Sequence, residues 1–127
     1  LQLGGQLACN YASEQGLVDF KRLQCDGLML LKSNRPGSFL KVAIEFELSD
    51  KSLKDYQKKL SDYYRAGSIH AVFYICKDKS TESRIKRAER ESYTGTKNKI
   101  HYLLYEKLQT PDQFVTFQAQ NGSAISV

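Results

Sequence analysis

Three carboxylates carry the chemistry this chain offers. Glu45 and Glu47 stand two apart in KVAIEFELSDKS, and Asp26 sits before a glycine in QCDGLMLLK. Side chains two apart on a strand point the same way, so Glu45 and Glu47 are presented side by side if Phe39–Leu48 is extended. Carboxylate oxygens in such a group are the hard donors that Mg²⁺ prefers. Taken alone, the two glutamates have a commoner fate, as the wet face of an edge strand. The joint order of the three acids is what favours a site.

The elements around them must bring the acids together. Val42, Ile44, Phe46 and Leu48 alternate onto one face, opposite Ala43, Glu45 and Glu47. Ser33–Ser38 is dense in turn residues and closes a hairpin between Gln24–Lys32 and Phe39–Leu48. The two strands are then antiparallel, and Asp26 falls across from the Glu45–Glu47 end. Three acids gather at one edge of the sheet, provided the register does not slip by one residue. Ser49 is placed to cap a helix that runs to Ala66, with Asp50 in its first turn and Leu53, Tyr56, Leu60, Tyr63 and Tyr64 as its apolar stripe. On that stripe the tyrosines read as core. Ile69–Cys76 is a near-continuous apolar run, as in a strand covered on both faces, and a helical crossover makes it parallel to the Glu45 strand. A second helix over Ser80–Ser92 and a further parallel strand over Lys99–Tyr105 follow. A short helix is expected around Tyr11–Val18, an edge element within Leu108–Gln118, and a fraying tail at Asn121–Val127.

At 127 residues the chain reads as one α/β domain spanning 1–127. Its net charge of +5 is concentrated: Lys77–Lys99 holds eight basic and four acidic residues. Such a surface attracts phosphate backbones. A solvated helix laced with i,i+4 pairs explains the run equally well. Cys9, Cys25 and Cys76 lack CxxC spacing, and Cys25 and Cys76 lie in apolar runs, which fits buried thiols in a reducing cytoplasm. His70 and His101 have no metal-ligand spacing and read as strand residues. No stretch is long and apolar enough to span a membrane, and no signal peptide is evident, so no membrane partner is expected.

The order of helix, strand with Asp, hairpin, strand with Glu-x-Glu, lysine-rich helix, strand, helix and strand resembles the PD-(D/E)xK nuclease superfamily. The resemblance implies a restriction-endonuclease-like mixed sheet flanked by helices. It also implies that Asp26, Glu45 and Glu47 hold Mg²⁺ or Mn²⁺, with Asp26 as the first acid and Glu47 where a lysine usually stands. Lys51 would supply the missing cation, with Lys54 one turn further along, and Glu14 would be an additional helix acid. Cys25 stands in place of the usual proline. AIEFELSDKS together with QCDGLMLL looks more narrowly like the C-terminal domain of the replication-relaxation family, which includes MobC-type plasmid mobilisation relaxases. That match covers about Glu14–Cys76. In this family a winged-helix region precedes the nuclease-like domain, so a chain opening at Leu1 is expected to be part of a longer one.

The expected function is metal-dependent DNA strand nicking in plasmid mobilisation, through Asp26, Glu45, Glu47 and Lys51. Lys54, Lys58, Arg84, Arg87 and Arg90 would contact backbone phosphates, and other mobilisation proteins are expected partners. The alternative is a DNA-binding or docking module on a nuclease scaffold that has lost catalysis. A third reading is an RNA or repair nuclease of the same superfamily.

Overall fold

The computed structural model describes residues 4–7, 20–33, 35–109 and 114–127. Its strands are β1 (Gly4–Leu7), β2 (Gly27–Lys32), β3 (Phe39–Glu47), β4 (Ala71–Cys76), β5 (Ile100–Leu104), β6 (Thr116–Ala119) and β7 (Ala124–Ser126). They form one mixed sheet in chain order. Pairing is antiparallel from β1 to β3, parallel from β3 to β5, and antiparallel again to β7. The two parallel steps are the helical crossovers, α1 (Leu53–Arg65) and α2 (Lys79–Ser92). The expected helix around Tyr11–Val18, with Glu14 on it, lies outside the described residues, as does Cys9. A helical turn at residues 20–23 leads into β2.

Both helices pack on one face of the sheet. Tyr56, Leu60 and Tyr63 of α1 and Ile85 and Ala88 of α2 are buried against Leu28, Ala43, Val72 and Tyr74. Each large apolar side chain withdrawn from water there contributes about 1.5–3 kcal/mol. The opposite face has its own core, in which Leu31, Val42, Phe73, Ile75 and Phe117 are buried. Phe117 of β6 stacks on Phe73 of β4 at 4.0 Å between ring centroids, although β5 lies between the two strands. Strands two apart in a flat sheet stand about 9.5 Å from each other, so the sheet curls over this core. Every residue of β4 is buried, which explains its unbroken apolar run.

Two sequence expectations fail. The first helix is capped by Ser52 rather than Ser49: the Ser52 hydroxyl accepts from Asp55 N–H at 3.1 Å. Residues 48–52 form a loop instead, held by the Tyr56 hydroxyl, which accepts from Lys51 N–H at 3.1 Å and donates to Ser49 O at 3.4 Å. Asp50 therefore serves no dipole of α1. It receives Lys77 Nζ at 3.0 Å and Thr81 Oγ1 at 2.9 Å, at the start of α2. The C-terminal tail does not fray. Asn121-Gly122 turns the chain, with Gly122 at φ 94°, and β7 pairs back on β6 with Ile125 buried. An Asn-Gly pair between short extended runs is a strong hairpin signal.

Candidate active site

The site lies where the sheet changes from antiparallel to parallel pairing, at the C-terminal end of β3. Asp26 arrives there through the β2–β3 hairpin. Its N–H donates to Ile44 O at 3.0 Å, and its Oδ2 accepts from Phe46 N–H at 2.7 Å. The carboxylate thus stands where a strand carbonyl would otherwise continue the ladder.

Glu45 and Glu47 share the helix-covered face of β3 with Ala43, rather than a wet face. Glu45 has 12% of its side chain exposed and lies 3.3 Å from Lys59 Nζ. The Tyr63 hydroxyl also donates to its Oε1. Burial pushes the Glu45 carboxyl above the usual range; Tyr63 and Lys59 oppose that shift, and the Asp26 charge adds to it. Lys59 is anchored in turn by Leu23 O and, at 3.1 Å, by Gln24 O. Glu47 has 6% of its side chain exposed and meets Lys51 Nζ at 2.6 Å. The Ser49 hydroxyl donates to its other oxygen at 3.4 Å. Burial is the largest single influence on Lys51 and disfavours its charge, but the hydrogen bond and charge of Glu47, together with Tyr56 and Glu45, outweigh it and raise the pKa. Around the acids, burial first and then their negative charge push up the phenols of Tyr63 and Tyr74.

A cavity of about 310 Å³ opens among these groups, lined by Asp26, Glu45, Glu47, Lys51, Tyr56 and Lys59. The fold therefore brings together the four residues singled out from spacing and resemblance. Each carboxylate has a committed oxygen: Asp26 to Phe46 N–H, Glu45 to Tyr63 and Lys59, Glu47 to Lys51. Among the described residues no three His, Cys, Asp or Glu side chains are grouped closely enough to hold one metal ion. The donor chemistry still suits a hard divalent cation. Asp26 Oδ1 and Glu45 Oε2 make no hydrogen bond to a described residue.

The basic candidates separate into two groups. Lys54 and Lys58 are exposed on α1. Arg84 donates to Lys51 O at 3.2 Å and so reaches the rim of the cavity. Arg87 pairs with Glu91 at 3.0 Å, and Arg90 donates to Gln120 at 2.9 Å, both further along α2.

Sequence reasoning missed Lys59 and counted Tyr63 only as core. One signal was present: a buried tyrosine hydroxyl needs a partner, and Glu45 and Glu47 are the acids on the strand that α1 covers. It also missed Glu89, fully buried on α2, which accepts from the Tyr64 hydroxyl, from Tyr102 at 2.9 Å and from Gln120 at 2.6 Å. Cys25 and Cys76 are buried free thiols, pushed up by burial to about 11 and about 12. His70 Nδ1 accepts from Lys41 N–H at 2.9 Å, and His101 is buried in β5.

Comparison with protein-family models, with curated proteins and with solved structures gave no match. No helix among the described residues is long and apolar enough to cross a membrane.

Proposed function

We propose that this chain is a metal-dependent DNA strand-nicking domain on a restriction-endonuclease-like scaffold, acting in plasmid mobilisation alongside other mobilisation proteins in the cytoplasm. The observation that carries the reading is the convergence of Asp26, Glu45, Glu47 and Lys51 on one cavity at the end of β3. Bound Mg²⁺ or Mn²⁺ would lower the pKa of water and offset the charge of the attacked phosphate. Asp26 and Glu45 are the residues to hold it, each with a carboxylate oxygen that no described residue engages. Glu47 holds the Lys51 ammonium at the cavity, where it stabilises charge that develops on the phosphate. Tyr63 and Lys59 fix the rotamer of Glu45 and favour its ionised form. Arg84 and Lys54, near the same end of α1, suit neighbouring backbone phosphates.

The test is relaxation of supercoiled origin-bearing plasmid in Mg²⁺. Asp26→Ala, Glu45→Ala and Lys51→Met should each abolish nicking, and Glu45→Ala nicking at the parent rate would end this reading. A second reading, a scaffold that binds DNA without cutting it, is favoured by the pairing of Glu47 with Lys51, which leaves fewer acids to hold a metal. It requires that Mn²⁺ not bind measurably in titration calorimetry while oligonucleotide affinity persists and falls steeply with salt.

A further inference from the structure

We infer that Lys59 is a positioning residue for Asp26 as well as for Glu45: its ammonium ties the turn that delivers Asp26 to the Glu45 carboxylate, and so sets the gap between the two acids. This deepens the metal-site reading above, in which Lys59 acts on Glu45 alone, and rests on it.

The pairing of Gly27 with Ile44, continued one step past the start of β2, sets Asp26 level with Glu45. Asp26 reaches that place from a bend that the backbone resists. Gln24 stands at φ 51°, the only non-glycine among the described residues with a positive φ. An L side chain there crowds the following carbonyl, so the surroundings must hold the conformation. The Gln24 N–H donates to Phe20 O at 2.9 Å and closes the helical turn at residues 20–23. Leu23 O and Gln24 O are left at the end of that turn, where helical carbonyls have no partner within the helix.

Lys59 supplies that partner from α1. Its Nζ donates to Leu23 O and, at 3.1 Å, to Gln24 O, and it lies 3.3 Å from Glu45 Oε1. An ammonium has three N–H donors, and here each has an acceptor. None is left for a phosphate, in contrast to the exposed Lys54 and Lys58 of the same helix. The ammonium also lies 5.7 Å from the centroid of the Tyr63 ring. Lys59 thus joins α1, the turn before β2, and β3. Without it the Leu23 and Gln24 carbonyls lose a donor, the strained bend relaxes, and Asp26 two residues on moves with it. Tyr63 holds Glu45 from the same helix through its hydroxyl, so comparing the two residues separates the turn from the carboxylate.

The Phe46 N–H reports where Asp26 stands, because it donates to Asp26 Oδ2 at 2.7 Å just beyond the β2 ladder. The experiment is amide hydrogen exchange followed by NMR on the full chain, in EDTA and without DNA. Lys59→Met should speed exchange at Phe46 about tenfold more than at Val72, whose N–H is bonded to Lys99 O in the buried β4. The Lys59 side chain is 27% exposed, so methionine can be accommodated; should that variant not fold, Lys59→Gln takes its place with the same expectation. Tyr63→Phe, which releases Glu45 alone, should change the two amides alike, within about twofold. The positioning role is overturned if Lys59→Met speeds Phe46 no more than Val72, the signature of general loosening. It is equally overturned if Tyr63→Phe speeds Phe46 as much as Lys59→Met does. Mn²⁺ titration of the parent tests the underlying reading separately. No Mn²⁺ binding, with the Phe46 result as expected, sinks the metal site and leaves Lys59 as the residue that spaces the two acids.

Discussion

Replacing Lys51 with Met tests the contact on which the geometry of the site depends. Glu47 is almost fully buried, and Lys51 is the cation that meets it, at 2.6 Å. Removing one partner of a fully buried ion pair costs about 3–5 kcal/mol, because the remaining charge is uncompensated. Here Lys51 has 52% of its side chain exposed, so water partly replaces the ammonium and the cost falls to about 1–2 kcal/mol. Glu47→Gln removes the charge instead and makes Lys51 dispensable. Urea unfolding of the parent, the two single variants and the double variant completes a cycle. Lys51→Met should lose about 1–2 kcal/mol, and the same change in the Glu47→Gln background should lose under about 0.5 kcal/mol. A coupling energy below about 0.5 kcal/mol would refute the pairing, and with it the reason for placing Lys51 beside the acids.

Glu89→Ala should be the more damaging change, although it lies outside the site. It removes the acceptor of Tyr64, Tyr102 and Gln120 in a fully buried position, for a loss of roughly 3–4 kcal/mol in urea unfolding; a loss under about 1 kcal/mol would show that the network is dispensable. His101 is buried, and burial lowers its pKa. Its contribution is therefore present above the ordinary imidazole pKa of about 6.5 and is lost as pH falls below it, since the unfolded chain then binds the extra proton. Unfolding midpoints measured down to about pH 5 should fall in the parent and fall less in His101→Asn, and equal slopes would contradict this. Asp50→Ala frees the loop that carries Lys51 from Lys77 and Thr81. Nicking should drop on the order of tenfold with oligonucleotide affinity unchanged, because only positioning is lost; equal losses in both would argue for general unfolding.

Much of the site was legible because its determinants are local. Alternation placed Glu45 and Glu47 on one face, and the turn residues of Ser33–Ser38 made the hairpin. Counting back from that turn set Asp26 beside the end of β3, and the register, with Gly27 opposite Ile44, agrees. The α1 stripe was legible through its period of 3.6. The helix start was not, because Ser49 and Ser52 are equally good caps by type. The choice between them is made by Tyr56 of α1 and by Lys77 and Thr81 around the start of α2, which hold the loop. The tail was misjudged because a three-residue strand has too little pattern to be seen, although Asn121-Gly122 marked its turn.

By itself, then, the sequence determined which residues extend, which turn and which face each acid shares, since those follow from neighbouring side chains and backbone preferences. Only the tertiary structure decided what each acid meets. Lys59 reaches Glu45 from the crossover helix α1, and Lys51 folds back on Glu47 from a loop. Such pairings depend on how elements pack and not on spacing along the chain. The same lysines on a differently seated helix would be an ordinary solvated face.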